Sequence, residues 1–289
     1  MNKKKVKTII PAQKVNMGGH LLDQPLPVDG LDYVDPFLLI HHWKNELPGG
    51  QRVQEAGVGP HPHRGFSPVT FVFKGEVNHQ DSLGNNALVS EGGTQWMFAG
   101  QGITHSERFP KHLVENGGEL EFIQFWVNAP SEFKMKPAFY KPISKEETPL
   151  IEEEKSKIWV ITGELNGIKG AAPTYSPQTL LRGEVKQNGT VEISIPSSYN
   201  TILYLLDGEG IANGEEVIGK DMIVFEREEG IIHFEASDAT RFMLLSGEPI
   251  GEKVASYGPF VMNNQTEIME ALRDSQSGKM GILIEEFPS

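Results

Sequence analysis

The stretch Gly59-Pro60-His61-Pro62-His63-Arg64-Gly65-Phe66, taken with Gly102-Ile103-Thr104-His105-Ser106-Glu107, decides how the rest of the chain is read. Side chains two residues apart on a β-strand point to the same face. His61 with His63, and His105 with Glu107, can therefore each converge on one point. Three imidazoles and a carboxylate form a donor set suited to a divalent transition metal, with open positions left if six-coordination is preferred. The expected centre is one metal held by His61, His63, His105 and Glu107 inside a β-barrel. A lone His-x-His would be unremarkable; two correctly spaced pairs in a glycine-rich β context are not.

The sequence around these pairs alternates short apolar runs with turn signals. Pro68-Val69-Thr70-Phe71-Val72-Phe73 stops at Lys74-Gly75 and predicts a central strand, and Leu120 to Val127 predicts another. Asp81 to Asn86 reads as a turn after a short strand over Glu76 to His79. Upstream, Asp35 to Trp43 reads as a buried strand emerging at a loop, with His41 and His42 as polar groups at its end. Gly18-Gly19 predicts a turn, and Leu47 to Pro60 predicts a loop delivering the chain to His61. Strands with little helical periodicity predict a β-sandwich or barrel of jelly-roll type. Phe37, Phe71, Phe73, Met97 and Phe125 are candidates for an apolar wall, although cores draw on the same residue types.

From Pro130 to Lys157 charges and prolines dominate, which predicts a solvated linker, with residues 1–133 forming a first domain and 134–289 a second. Strands resume over 158–162, 191–195, 201–206, 222–225, 231–235 and 242–245. Aligning Phe73-Lys74-Gly75 with Leu206-Asp207-Gly208 makes the halves look like copies of one unit. The second copy keeps His233-Phe234-Glu235, but Ser194 and Pro196 stand where His61 and His63 would be. A lone His-x-Glu pair has too few ligands for a second metal site. After Asn264, helical spacing of Ile268, Met269 and Leu272 and a capping pattern from Asn264 to Glu267 predict a short C-terminal helix.

Composition bounds the partners. With 289 residues and 38% hydrophobic content the chain can build a large core, as soluble globular proteins do. It contains no cysteine, which excludes thiolate ligands and fits a reducing, cytoplasmic location. A net charge of -13 argues against nucleic acid or an anionic membrane surface as partner. No apolar run is long enough for a membrane span.

Six motifs carry a resemblance: Asp35-Pro36-Phe37-Leu38-Leu39; His61-Pro62-His63-Arg64-Gly65-Phe66; Gln95-Trp96-Met97; Ala99 to Glu107; Gln124 to Asn128; and Gly258 to Asn263. Their order and spacing resemble the pirin family of the cupin superfamily. The resemblance implies an all-β protein of two stacked cupin barrels with one mononuclear metal, usually iron, in the first. Nickel, copper, manganese and zinc also suit such a donor set. It implies His61, His63, His105 and Glu107 as ligands, and quercetin 2,3-dioxygenase-type ring cleavage of a flavonol with O2; Glu107 is in addition the candidate base if it loosens from the metal. The expected partners are therefore a small aromatic substrate and O2, for a monomer. The alternative reading is a non-enzymatic iron-containing regulatory protein whose metal state controls binding to a macromolecular partner. Ser67 stands where family members commonly carry a glutamate.

Overall fold

The computed structural model describes residues 2–17 and 19–287, so Gly18 of the expected Gly18-Gly19 turn lies outside the described residues. Strands dominate, and Gln265–Gln276 is the longest of the helices. Packing divides the chain into two compact units, each built from two segments: residues 1–41 with 146–250, and residues 42–145 with 251–289. The division expected at 133/134 treats the halves as consecutive blocks, whereas here each terminal segment packs with the half more distant in sequence. Local composition marks where a linker is polar, and carries no signal for which body a terminal segment joins.

In the unit of 42–145 and 251–289, a four-stranded sheet runs in the order Gly57–His63, Ile103–Arg108, Glu76–Asp81, Asn86–Ser90. Facing duties are shared with antiparallel strands Phe139–Ile143, Thr94–Phe98, Phe66–Lys74 and Gly118–Asn128, neighbours in that order. Strand Phe66–Lys74 is buried over most of its length, as its β-branched and aromatic content favours. Phe139–Ile143 lies in the segment expected to be linker. It pairs with Thr94–Phe98 at the sheet edge, where Pro142 is tolerated because an edge strand can spare a donor. Gly57–His63 likewise extends the sheet into what reads as loop, its glycines and Pro60 masking the β pattern.

The strand Phe37–Leu47 continues through His41 and His42 instead of ending there. His42 is fully buried, with Nε2 3.1 Å from Glu121 Oε1, so burial of this polar group is matched by a charged partner. The C-terminal helix is capped as its sequence predicts: Asn264 Oδ1 accepts from Glu267 N at 3.0 Å. Ile268 and Ala271 form its buried stripe with Phe260 and Met262, whereas Met269 is exposed.

In the unit of 1–41 and 146–250, a seven-stranded antiparallel sheet has the order Val6–Pro11, Asp221–Phe225, Asn200–Asp207, Thr240–Gly247, Gln178–Val185, Ser156–Thr162, Leu150–Glu152. A four-stranded sheet contains Thr190–Ser194, Ile231–Ala236, Glu209–Ala212 and Glu215–Ile218. Its core is apolar, with Ile193, Ile195, Ile232 and Phe234 all buried in one cluster. Phe234 is opposite Val191 and Ile232 is opposite Ile193. The alternation therefore turns His233 and Glu235 to the other face, where Glu235 is exposed and His233 Nδ1 lies 3.3 Å from Lys3 Nζ. The repeated His-x-Glu is out of phase with the barrel interior.

His41 of this unit places Nε2 2.8 Å from Gln24 Oε1, and burial pushes its pKa down to about 4. The unfolded chain takes up this proton near 6.5 and the folded chain only near 4, so the contribution of neutral His41 is present above about 6.5 and lost as pH falls towards 4. Chemical denaturation at a series of pH values should show stability declining across that window, with a shallower decline in His41→Phe.

Candidate metal centre

Antiparallel pairing of Ile103–Arg108 with Gly57–His63 sets His105 directly opposite His61, with Thr104 opposite Pro62 and Ile103 opposite His63. Opposed residues share a face, so His61, His63 and His105 converge. One ring nitrogen from each lies within 4.8 Å of the others. The ring centroids of His61 and His105 are 4.3 Å apart, and those of His63 and His105 are 5.0 Å apart.

Hydrogen bonds fix which nitrogen each ring can offer. His61 Nδ1 lies 2.8 Å from the Gly59 carbonyl, and His63 Nδ1 lies 3.2 Å from the Pro259 carbonyl. A carbonyl only accepts, so both rings carry the proton on Nδ1 and leave the lone pair on Nε2. His105 Nε2 is buried and has no hydrogen-bond partner among the described residues. Burial, followed by the neighbouring His61, pushes the His63 pKa down to about 3. Burial, then His61, His63 and His79, holds His105 well below its ordinary value. His63 and His105 are thus held as neutral imidazoles, the form in which histidine binds a transition metal. A buried ligand-ready nitrogen left without a protein partner is the observation that fits such an ion.

Glu107 shares the His105 face of its strand but stands apart from the three-histidine group. The register shift between His105 and Glu107 places the extra residue on the Gly57–His63 strand, so Glu107 is opposite Val58 and the His105-to-Glu107 alternation survives. Its carboxylate accepts from Gln124 Nε2 at 3.0 Å and 2.8 Å, one contact to each oxygen, and from Thr70 Oγ1 at 3.5 Å. Gln124 is opposite Thr70 in the neighbouring sheet strands, which explains how both reach the same carboxylate.

The same register answers two points of residue choice. Ser67 is opposite Val127, in odd-numbered alternation with Val69 and Phe71, and therefore lies on the sheet face opposite that of Thr70 and Gln124. Phe71 and Phe125 pack edge to face with centroids 4.9 Å apart, and both are fully buried, as core residues. The aromatic side chains beside the histidines are instead Phe66 and Trp126, whose ring centroids lie 5.2 Å and 5.6 Å from that of His63.

Several contributors escape the spacing of the two ligand pairs. His79 and Asp81 lie on the adjacent strand, with Asp81 opposite His105 and His79 opposite Glu107. Their His-x-Asp spacing is a third period-two pair, hidden because Asp81 also begins a turn. Tyr140, from the segment read as linker, stacks on His79 with centroids 3.7 Å apart and planes within 1°. Burial, then Glu107 and Asp81, raises the Tyr140 pKa, so its phenol stays protonated.

The segment after Gly251 completes the site from behind. Val261 N donates to the Arg64 carbonyl at 3.1 Å, and Arg64 Nη1 reaches Asp274 Oδ2 at 3.1 Å. Gly65 turns the chain with φ +91°, and a Cβ there would lie 2.0 Å from the Val261 carbonyl oxygen.

Comparison with known proteins follows this geometry. Residues 20–127 match the family model described as Pirin, and residues 180–281 match that of the Pirin C-terminal cupin domain. Pirin-1 of Arabidopsis thaliana is 36% identical over 254 residues, covering 86% of this chain and 84% of that protein. The crystal structure of a quercetin 2,3-dioxygenase from Acinetobacter baumannii is 35% identical, with TM-score 0.91, covering 98% of this chain and 100% of that one. A bacterial pirin from Escherichia coli, solved in complex with nickel(II), shares the fold at TM-score 0.66 and 21% identity, covering 84% of this chain and 100% of that one.

Replacing Gly65 by alanine should destabilise the protein by about 1–3 kcal/mol, since a side chain is forced into the left-handed region against a backbone oxygen. Equilibrium denaturation of Gly65→Ala against the parent protein measures this directly.

Proposed function

Because the chain belongs to the pirin family, with two cupin barrels and a histidine cluster in one of them, we propose that it is a mononuclear metal-dependent dioxygenase opening the ring of a flavonol such as quercetin. The observation that carries the reading is the convergence of three imidazoles, with the Nε2 of His105 buried and without a partner among the described residues. The similarity to the Acinetobacter baumannii quercetin 2,3-dioxygenase supplies the reaction class.

In this reading His61, His63 and His105 hold the ion, most naturally iron, and Glu107 is the carboxylate ligand. With three imidazoles and one carboxylate around it, a divalent ion would leave a net charge of about +1, favourable to an anionic oxygen donor, and would supply Lewis-acid and redox chemistry toward O2. Glu107 would also serve as the base once it loosens from the ion, an oxygen aligned by Gln124 Nε2 taking the proton of the flavonol 3-hydroxyl. Gln124 restricts the rotation of that carboxylate and keeps it on the face shared with His105. Phe66 and Trp126 form an aromatic wall beside His63 that suits a flat ring system. Tyr140, kept neutral, adds no competing anion.

Metal analysis of protein purified without added metal should find one equivalent per chain, lost in His61→Ala and retained in His233→Ala. Incubated with quercetin in air, the iron-loaded protein should consume oxygen and release carbon monoxide. Glu107→Gln should lower kcat by about 100-fold or more, the scale of a lost general base. Metal binding with no oxygen uptake or carbon monoxide release would reject the flavonol reaction.

A further inference from the structure

Outside the ligand set, His79 and Asp81 form a bonded polar pair in this unit. Both are buried, and neither belongs to the converging histidines. Asp81 Oδ1 accepts from Leu83 N at 2.9 Å and Asn85 N at 3.1 Å, while Oδ2 accepts from Asn85 Nδ2 at 2.8 Å. His79 Nε2 lies 2.9 Å from the same Oδ2. A carboxylate surrounded by donors is ionised and only accepts, so His79 must carry a proton on Nε2. Its other ring nitrogen, Nδ1, is left to pair with whatever it faces. That nitrogen faces His105 Nδ1 at 3.4 Å, at the long end of hydrogen-bond range, with both rings buried.

Two bare lone pairs cannot face each other in a buried site without cost, so one proton lies between the rings, and with a proton already on His79 Nε2 the arrangement that adds no net charge puts it on His105 Nδ1. The lone pair of His105 is thereby forced onto Nε2, the atom that has no protein partner. His61 and His63 reach the same tautomer through backbone carbonyls. For His105 the acceptor is a second imidazole, itself polarised by a carboxylate. Tyr140 lies flat on the His79 ring and fixes its plane.

We propose that Asp81 and His79 are positioning residues, a carboxylate–imidazole relay that sets the tautomer and orientation of His105 and so raises its affinity for a metal. The inference rests on the metal-centre reading above for its functional meaning, although the relay itself exists in metal-free protein. Outer partners of ligating histidines typically account for 10–100-fold in metal affinity. The Asp81 carboxylate, three groups removed from the ion position, would act on it only through protons held in place at His79 Nε2 and His105 Nδ1.

Nitrogen-15 NMR of imidazole-labelled, metal-free protein reads the tautomer, and competition with a chelator of known affinity reads iron(II) binding. His105 should appear as the Nδ1–H tautomer in the parent protein. Asp81→Asn, which can offer an amide donor to His79 Nε2, should move His105 to the Nε2–H form and weaken iron(II) binding 10–100-fold. His79→Phe keeps the stacking surface for Tyr140 but removes the acceptor, and should also weaken binding. His79→Gln, whose Oε1 can accept from His105, should recover part of the loss. Should Asp81→Asn fail to fold, because Asp81 also holds its turn, the two His79 variants decide the outcome, with circular dichroism confirming their fold. An unchanged His105 tautomer with affinity within twofold of the parent overturns the relay. Parent protein that shows the Nδ1–H tautomer but binds no iron(II) instead overturns the metal-centre reading and leaves the relay standing.

Discussion

The antiparallel pairing that sets His61 opposite His105 is the constraint on which the site depends. It brings two sequence-distant pairs to one face with no long side chain to position, because β alternation alone aims the rings. A one-residue slip would rotate the His105 strand and send its imidazole to the opposite face. The neighbouring strand locks this register from the other side, with Asp81 opposite His105 and His79 opposite Glu107. The outward-facing residues of the same strand are also engaged: Arg108 makes two bonds to the Glu285 carboxylate. Register is thus held on both faces of the strand that carries half of the candidate donor set.

Proton placement is the second layer of the same design. Each of the three converging imidazoles has its Nδ1 matched to a neighbour: the Gly59 carbonyl, the Pro259 carbonyl or the His79 ring. Burial disfavours the imidazolium form, and the neighbouring rings add to that effect at His63 and His105. His63 and His105 are therefore held neutral at close range to their neighbours. The other barrel shows the consequence of losing phase. Ile232 and Phe234 take the interior and His233 and Glu235 leave it, so an apolar core occupies the equivalent space.

Much of this was legible in the residues. The period-two spacing of His61 with His63, and the β-branched content of Phe66–Lys74, are local signals and survive folding intact. The C-terminal helix was readable from Asn264 and Glu267, whose capping contact forms as written. Tyr140 was not legible, because Lys136, Pro137, Lys141 and Pro142 surround it and an edge strand needs few β-forming residues. His79 was hidden by the turn that Asp81 begins, since one side chain serves both the turn and the ring. Glu107 shows the limit of spacing arguments: alternation placed it on the right face, but Gln124, distant in sequence, determines where its carboxylate rests. The outward phase of His233 also required the register, because His-x-Glu reads the same on either face.

The segment beyond Gly251 belongs to the unit that contains the histidines, although residues 146–250 of the other unit intervene. Pro259 supplies the acceptor for His63, and Asp274 engages Arg64. On the ribosome, His63 and His105 emerge long before either partner does. The histidine-bearing unit therefore cannot close from its stretch 42–145 alone, and waits for a segment that is synthesised after the strands of the other barrel. A premature stop after the other barrel would spare that barrel's strands and still leave the His63 ring without its acceptor, so the integrity of the cluster reports whether the segment beyond Gly251 has been made.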